Sequence, residues 1–334
     1  MSTSANRPSL PPEPLYFPID RAVYEVAPGL KPLGFDFGNG SHDHHIFQIG
    51  ENFREYRTNK ILCRNERLSK YYLQRNFSPE RQQHLTQLMI EVLLRDHSEI
   101  FSLNGRQLTC RHTNDLIEFN EDWTLKSFTA SPDDSAQITT PVVDSIDALS
   151  MQVQEDITVI CRNSDRKDHL GLIHLCSPSH WAAEDKIGMS FYQIHAPIPG
   201  IEKINKIAEN MVEAMINKGP FVRFIWSFVT DKRLNHHTVA PPDWDAARWK
   251  GRSFSLSQEE PFYFRVERQV VYGMPAVDAS LFTIRISFIN GREIKNHPHW
   301  REQLLGALGS MTPESRHYKG VAACYDELTS WLRS

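Results

Sequence analysis

The sequence predicts an α+β fold, an antiparallel sheet with helices added at its N- and C-terminal sides. Apolar residues recur at helical spacing in segments toward both ends. Short β-branched and aromatic segments cluster between residues 156 and 289, and no regular strand–helix alternation links them.

Composition narrows the class. With 334 residues and 40% hydrophobic content, the chain can bury a sizeable core. Its 37 Lys+Arg nearly balance 41 Asp+Glu without a long run of one sign, which argues against a nucleic-acid footprint or a membrane-surface patch and favours a small-molecule partner. Cys63, Cys110, Cys161, Cys176 and Cys324 are widely spaced, with neither CxxC nor zinc-type spacing, which fits reduced thiols and a cytoplasmic location. The opening "MSTSANRPSLPPEPLYFP" lacks a signal-peptide apolar stretch, so an extended leader is expected over residues 1–14, followed by a single domain over 15–334.

The elements follow in order. "NFREYRTNKILCRNERLSKYYLQ" has helical potential. In "SPERQQHLTQLMIEVLLRDHSEIF", Ser78 can cap, Pro79 suits the first helical position, and Leu85, Leu88, Met89, Val92 and Leu93 form one apolar stripe. Residues 126–150, rich in Ser, Thr, Asp and Pro, are expected to form a surface loop. "DITVICR" and "GLIHLCSP" read as buried strands joined by a polar turn. "GIEKINKIAENMVEAMINKGP" reads as a helix stopping at Gly219-Pro220, and "FVRFIWSFV", "PFYFRVERQVVYGMP" and "SLFTIRISFI" read as three antiparallel strands. A helix to about Met311 precedes a second, capped by Thr312-Pro313-Glu314, whose apolar face includes Tyr318, Val321, Ala322, Tyr325, Leu328 and Leu332.

Two histidine clusters, His42, His44 and His45 around Asp43 and the pair His236-His237, are expected in exposed loops. No GxSxG, P-loop, HExxH or GxGxxG motif occurs, which moves weight toward chemistry carried by a bound cofactor. In "MSFYQIHAPIPG" the two prolines disfavour helix just before each of them, so His195 is expected on a stiff extended segment preceding a helix. Its flanking Phe191, Ile194 and Ile198 leave two readings open, a buried structural histidine or a haem-iron ligand. Arg223, Arg265, Glu267, Arg268 and Arg285 lie inside predicted strands, where a charge must be paired. They form either an interior ion-pair network or a pocket that binds carboxylates or orients an amine.

"QEDITVI", "CSPSHWAAEDKIGMSFYQIHAPIPG", "RVERQ" followed by "LFTIR", and "VAPGLKPL" together resemble the haem-dependent oxidative N-demethylase alpha-subunit family from about residue 15 to 330. The most specific run is Pro178, Trp181, Lys186, Gly188 and Ile194 to Gly200. The resemblance implies a PAS-like sheet core near residues 110–290, enlarged by helices and holding haem b. It implies a haem-dependent monooxygenase or oxidase that uses O2 on a small amine, with oxidative N-dealkylation releasing an aldehyde and a separate reductase as partner. His195 then becomes the axial metal ligand. Glu267, Arg223 and Tyr192 become the catalytic candidates, and Arg265 and Arg285 candidates for pairing haem propionates. Ile225 stands where the family tends to carry Asn before the strand's Trp, which leaves the amine open. A non-catalytic PAS-type haem sensor and a haem-free metabolite-binding protein are the alternatives.

Overall fold

The aromatic and β-branched segments expected as strands are strands. In the computed structural model, which describes residues 7–250, 254–259 and 261–334, two antiparallel sheets form. Their strands are β1 (Lys31–Pro32), β2 (Tyr72–Gln74), β3 (Phe101–Asn104), β4 (Gln107–Cys110), β5 (Asp115–Phe119), β6 (Leu125–Thr129), β7 (Asp156–Arg162), β8 (Asp168–His174), β9 (Phe221–Val229), β10 (Tyr263–Met274) and β11 (Ala279–Asn290). The larger sheet runs β1-β9-β10-β11-β7-β8-β2, and the smaller is the meander β3-β4-β5-β6.

β10 is the spine of the larger sheet. It pairs with β11 from Tyr263↔Asn290 to Met274↔Ala279, and with β9 from Tyr263↔Val229 to Val271↔Phe221. Side chains alternate between faces along each strand, so Arg223, Ile225, Arg265, Glu267, Gln269, Ile284 and Ile286 share one face. Phe224, Trp226, Phe264, Val266, Arg268 and Arg285 share the other. The first face packs on Phe191, Ile201, Ile204, Val212 and Met215 from the segment between β8 and β9. The second receives the C-terminal helices through Leu304, Leu308, Leu328 and Leu332. Each such fully buried aliphatic side chain contributes about 1.5–3 kcal/mol.

Helix Pro79–Asp96 begins as expected, with Ser78 Oγ accepting from Arg81 N at 3.3 Å. Four expectations change. Residues 126–150 are a surface loop only in part: residues 136–144 are irregular and largely exposed, but the segment opens with most of β6 and closes with a helix, Ser145–Ser150, in which every residue is buried. That helix is capped from within the segment, Asp144 Oδ1 accepting from Asp147 N at 2.9 Å. The expected helix after Gly200 breaks at Ile207 into Glu202–Asn205 and Ala208–Asn217. The last expected helix breaks at Gly320, whose φ of +71° suits glycine, into Pro313–Tyr318 and Tyr325–Arg333. In the expected leader, residues 1–6 lie outside the described residues, whereas Glu13 straps the chain down by pairing with Arg285 and accepting from Asn52 N at 2.9 Å.

Of the histidine clusters only His44 is exposed as expected, while His42 and His45 are half-buried. Asp43 is buried and accepts from Tyr16 Oη at 2.9 Å and Phe37 N at 2.8 Å, and the His45 and His97 rings lie 4.8 Å apart. His236 and His237 are buried, with His237 Nε2 at 3.2 Å from Glu184.

Asp147 ties helix Phe53–Tyr71 to β8: its carboxylate takes two bonds from Arg64, at 2.7 and 2.8 Å, and lies 3.3 Å from His174 Nε2. Burial opposes charging of His174, but Cys176 and Asp147 lift it from 6.5 to about 9. The Cys176 thiol is itself held protonated by burial, so Asp147 is the effective partner. Because the folded value is raised, this stabilisation should be complete below about 6.5 and lost as pH rises through about 9. Asp147→Asn should flatten that part of the stability-versus-pH curve and cost about 3–5 kcal/mol in urea denaturation.

Candidate functional site

His195 does not sit on an extended segment. It closes a short helix, Phe191–His195, started by a capping box in which Ser190 Oγ accepts from Gln193 N at 3.3 Å and Gln193 Oε1 accepts from Ser190 N at 2.9 Å. The prolines follow in turns, where they limit the helix rather than extend the chain. His195 Nδ1 lies 2.7 Å from the Phe191 carbonyl. A carbonyl can only accept, so Nδ1 carries the proton and Nε2 presents its lone pair. Burial lowers the imidazole's pKa against the opposing effect of that hydrogen bond, and Arg223 and Lys186 lower it further, so the ring is held neutral.

The resemblance run builds this mount. Lys186 Nζ donates to the Ile194 carbonyl at 3.3 Å, and Gly188, at φ +84°, donates its N–H to Leu170 O at 2.8 Å on β8. A Cβ on Gly188 would come within 2.6 Å of the Arg75 side chain, so only glycine fits. Phe191, Ile194 and Ile198 join the apolar cluster on the sheet face that carries Glu267 and Arg223.

On that face Gln269 Nε2 donates to Glu267 Oε2 at 2.9 Å, and Ile225 and Ile286 flank Glu267 in register. Arg223 pairs with Gln269, one diagonal step from Glu267. Among the described residues the two charges make no direct bridge, and buried Arg223 Nε has no hydrogen-bond partner. Burial lowers Arg223 to about 10, with Glu267 opposing from a distance. A carboxylate and a guanidinium thus lie unbridged in a largely buried, aliphatic setting.

The other candidates are placed differently. Arg265 lies on the Glu267 face, but its guanidinium is spent on backbone carbonyls, Ser177 at 2.7 Å and Leu234 at 3.2 Å among them. Arg285 lies on the opposite face, bonded to the Gln48 carbonyl and to Glu13. Both guanidiniums are thus taken up by interior partners. Tyr192 is 53% exposed, and no contact brings its side chain to Glu267 or Arg223.

Lys319, Tyr318 and Tyr24 escaped the sequence reading. Lys319 Nζ donates to the Trp226 carbonyl on β9 and acts electrostatically on Glu267 and Arg223. The available signal was Gly320, which ends the helix just after Lys319.

The chain is an α+β protein that carries a neutral histidine, an apolar wall and a guanidinium whose buried Nε has no partner. Among the described residues no group of three or more His, Cys, Asp or Glu could hold a bare metal ion, and no helix is long and apolar enough to cross a membrane. The family model described as haem-dependent oxidative N-demethylase, alpha subunit-like, matches residues 39–329, and the chain belongs to this family.

The capping box makes a local prediction. Ser190→Ala should cost about 1 kcal/mol in chemical denaturation. It should also loosen the mount of His195, read as faster loss of haem to apomyoglobin.

Proposed function

We propose that this chain is a haem-dependent oxidase or monooxygenase acting on a small aliphatic amine, with His195 Nε2 as the axial ligand of haem b. The single observation that carries the reading is the His195 geometry, an Nδ1–H fixed on a backbone carbonyl that leaves Nε2 unprotonated, with Arg223 near enough to act on the ring electrostatically. Such an outer hydrogen bond fixes the tautomer and raises the basicity of a ligating histidine. The bound group would supply O2 activation, with reducing equivalents from a separate reductase.

The chain's own residues supply the remaining chemistry. The Glu267 carboxylate, held by Gln269, receives a substrate ammonium and can take its proton. Arg223, with a free buried N–H, donates to an oxygen-centred negative charge next to it. Ile225 and Ile286 flank the carboxylate with aliphatic surface, which favours alkyl groups on the amine nitrogen and excludes water from it. Oxidation at such an alkyl carbon would release an aldehyde and the shortened amine. The five long strands, with β7 lying between β11 and β8 and helices packed on both faces, support a PAS-like core enlarged by helices. That core spans residues 156–290 rather than 110–290, because residues up to 129 form the separate meander.

Purified protein should show a Soret band, and dimethylamine should shift it. His195→Ala should abolish or grossly change the spectrum, whereas Glu267→Gln should keep the band and lose the shift at low amine concentration. A spectrum with haem but no amine response or turnover would favour a sensor. No haem uptake even on reconstitution would favour a haem-free metabolite-binding protein.

A further inference from the structure

Lys319 is a cation inside the charge cluster that no part of the proposed chemistry uses. The Gly320 break ends helix Pro313–Tyr318 over the outer edge of β9 and delivers Lys319 to the Trp226 carbonyl. Three rings surround the ammonium, with centroids at 4.8 Å for Trp226, 5.7 Å for Tyr24 and 6.0 Å for Tyr318. Such a cage stabilises an ammonium through the electron-rich ring faces. Its neighbour Arg316 turns away, over the Tyr325 ring at 3.6 Å. The titratable and charged groups facing Lys319 are therefore Glu267 on β10, Arg223 on β9, Tyr24 before β1 and Tyr318 on its own turn.

We propose that Lys319 is a positioning residue that gates the Glu267 site by charge, repelling a cationic amine while it is an ammonium and admitting it once neutral. With Lys319 charged, Glu267 is opposed by Lys319, by Arg223 and by Arg265, whose guanidinium is turned to neutral backbone carbonyls. A further ammonium then meets a net positive site. Loss of the Lys319 proton removes one of these positive charges, and the cage and the Trp226 carbonyl keep the side chain in place. The gate works at accessible pH because burial lowers Lys319 to about 8, against the pull of Glu267 and with a further push from Arg223. Tyr24, raised to about 12 by burial and by Tyr318, stays neutral throughout.

The inference rests on Glu267 being the amine site. It is tested by calorimetric titration of the haem-loaded protein with dimethylammonium chloride between pH 7 and pH 9. The probe stays protonated over that range, as alkylammonium groups titrate near about 10.4. Wild-type affinity should rise about tenfold with pH, and binding near pH 8 should release protons, by reciprocity. Lys319→Met should bind tightly with a flat profile, and Lys319→Arg weakly with a flat profile. The same pH dependence in wild type and Lys319→Met would overturn the gate. Should Lys319→Met fail to fold, a wild-type affinity independent of pH, or binding without proton release, would overturn it equally. Glu267→Gln separates the two claims: if it binds the probe as wild type does, the carboxylate reading fails, and if it does not bind while wild type and Lys319→Met share one pH profile, only the gate fails.

Discussion

Burying the charged spine β10 in the middle of a sheet is the constraint on which the rest of the structure depends. Arg265, Glu267 and Arg268 lie on a strand paired along both edges, and each must be satisfied without bulk water. The fold answers with backbone. Segments 177–178 and 233–234 wrap over one face to give Arg265 its carbonyls, and the His45 carbonyl takes Arg268 at 2.8 Å. The N-terminal strap and Glu155 neutralise Arg285 on the same face as Arg268. The loops that carry the histidine clusters are therefore drawn inward by the charges of the sheet.

That satisfaction is incomplete, since among the described residues Arg265 Nε and Arg268 Nε and Nη1 have no hydrogen-bond partner, and Glu267 and Arg223 add an unbridged charge pair. They share a face, lie one diagonal step apart and are not closed into a bridge, so the charge of each remains available to a third group. Keeping them apart has an energetic cost that a purely structural pair would avoid by closing. His195 ends a helix held by a capping box and by Lys186, and its neighbours Phe191, Ile194 and Ile198 belong to the apolar cluster on that face.

The sheet was legible in the sequence because β-branched and aromatic segments with alternating burial have few other folds open to them. β7 and β9 begin and end at the residues their composition suggests. The meander β3–β6 and the buried helix Ser145–Ser150 were not legible, because their Ser, Thr and Asp residues look solvated until Arg64 and His174, distant in sequence, are brought against Asp147. For the site, Glu267, Arg223 and His195 were marked by charge in a strand and by the Pro178–Gly200 run. Arg265 and Arg285 carried the same local signal, and only the tertiary positions of carbonyls and of Glu13 tell them apart. Lys319 had no signal beyond the neighbouring Gly320, since it reaches the Trp226 carbonyl only where the chain end folds back over β9.

The central claim is that His195 Nε2 is the axial ligand, and cavity rescue tests it most directly. In His195→Gly protein loaded with haem, free imidazole should bind in the vacated space and restore the wild-type absorption spectrum at saturating concentration. A His195→Gly spectrum already identical to wild type, with no response to imidazole, would contradict it.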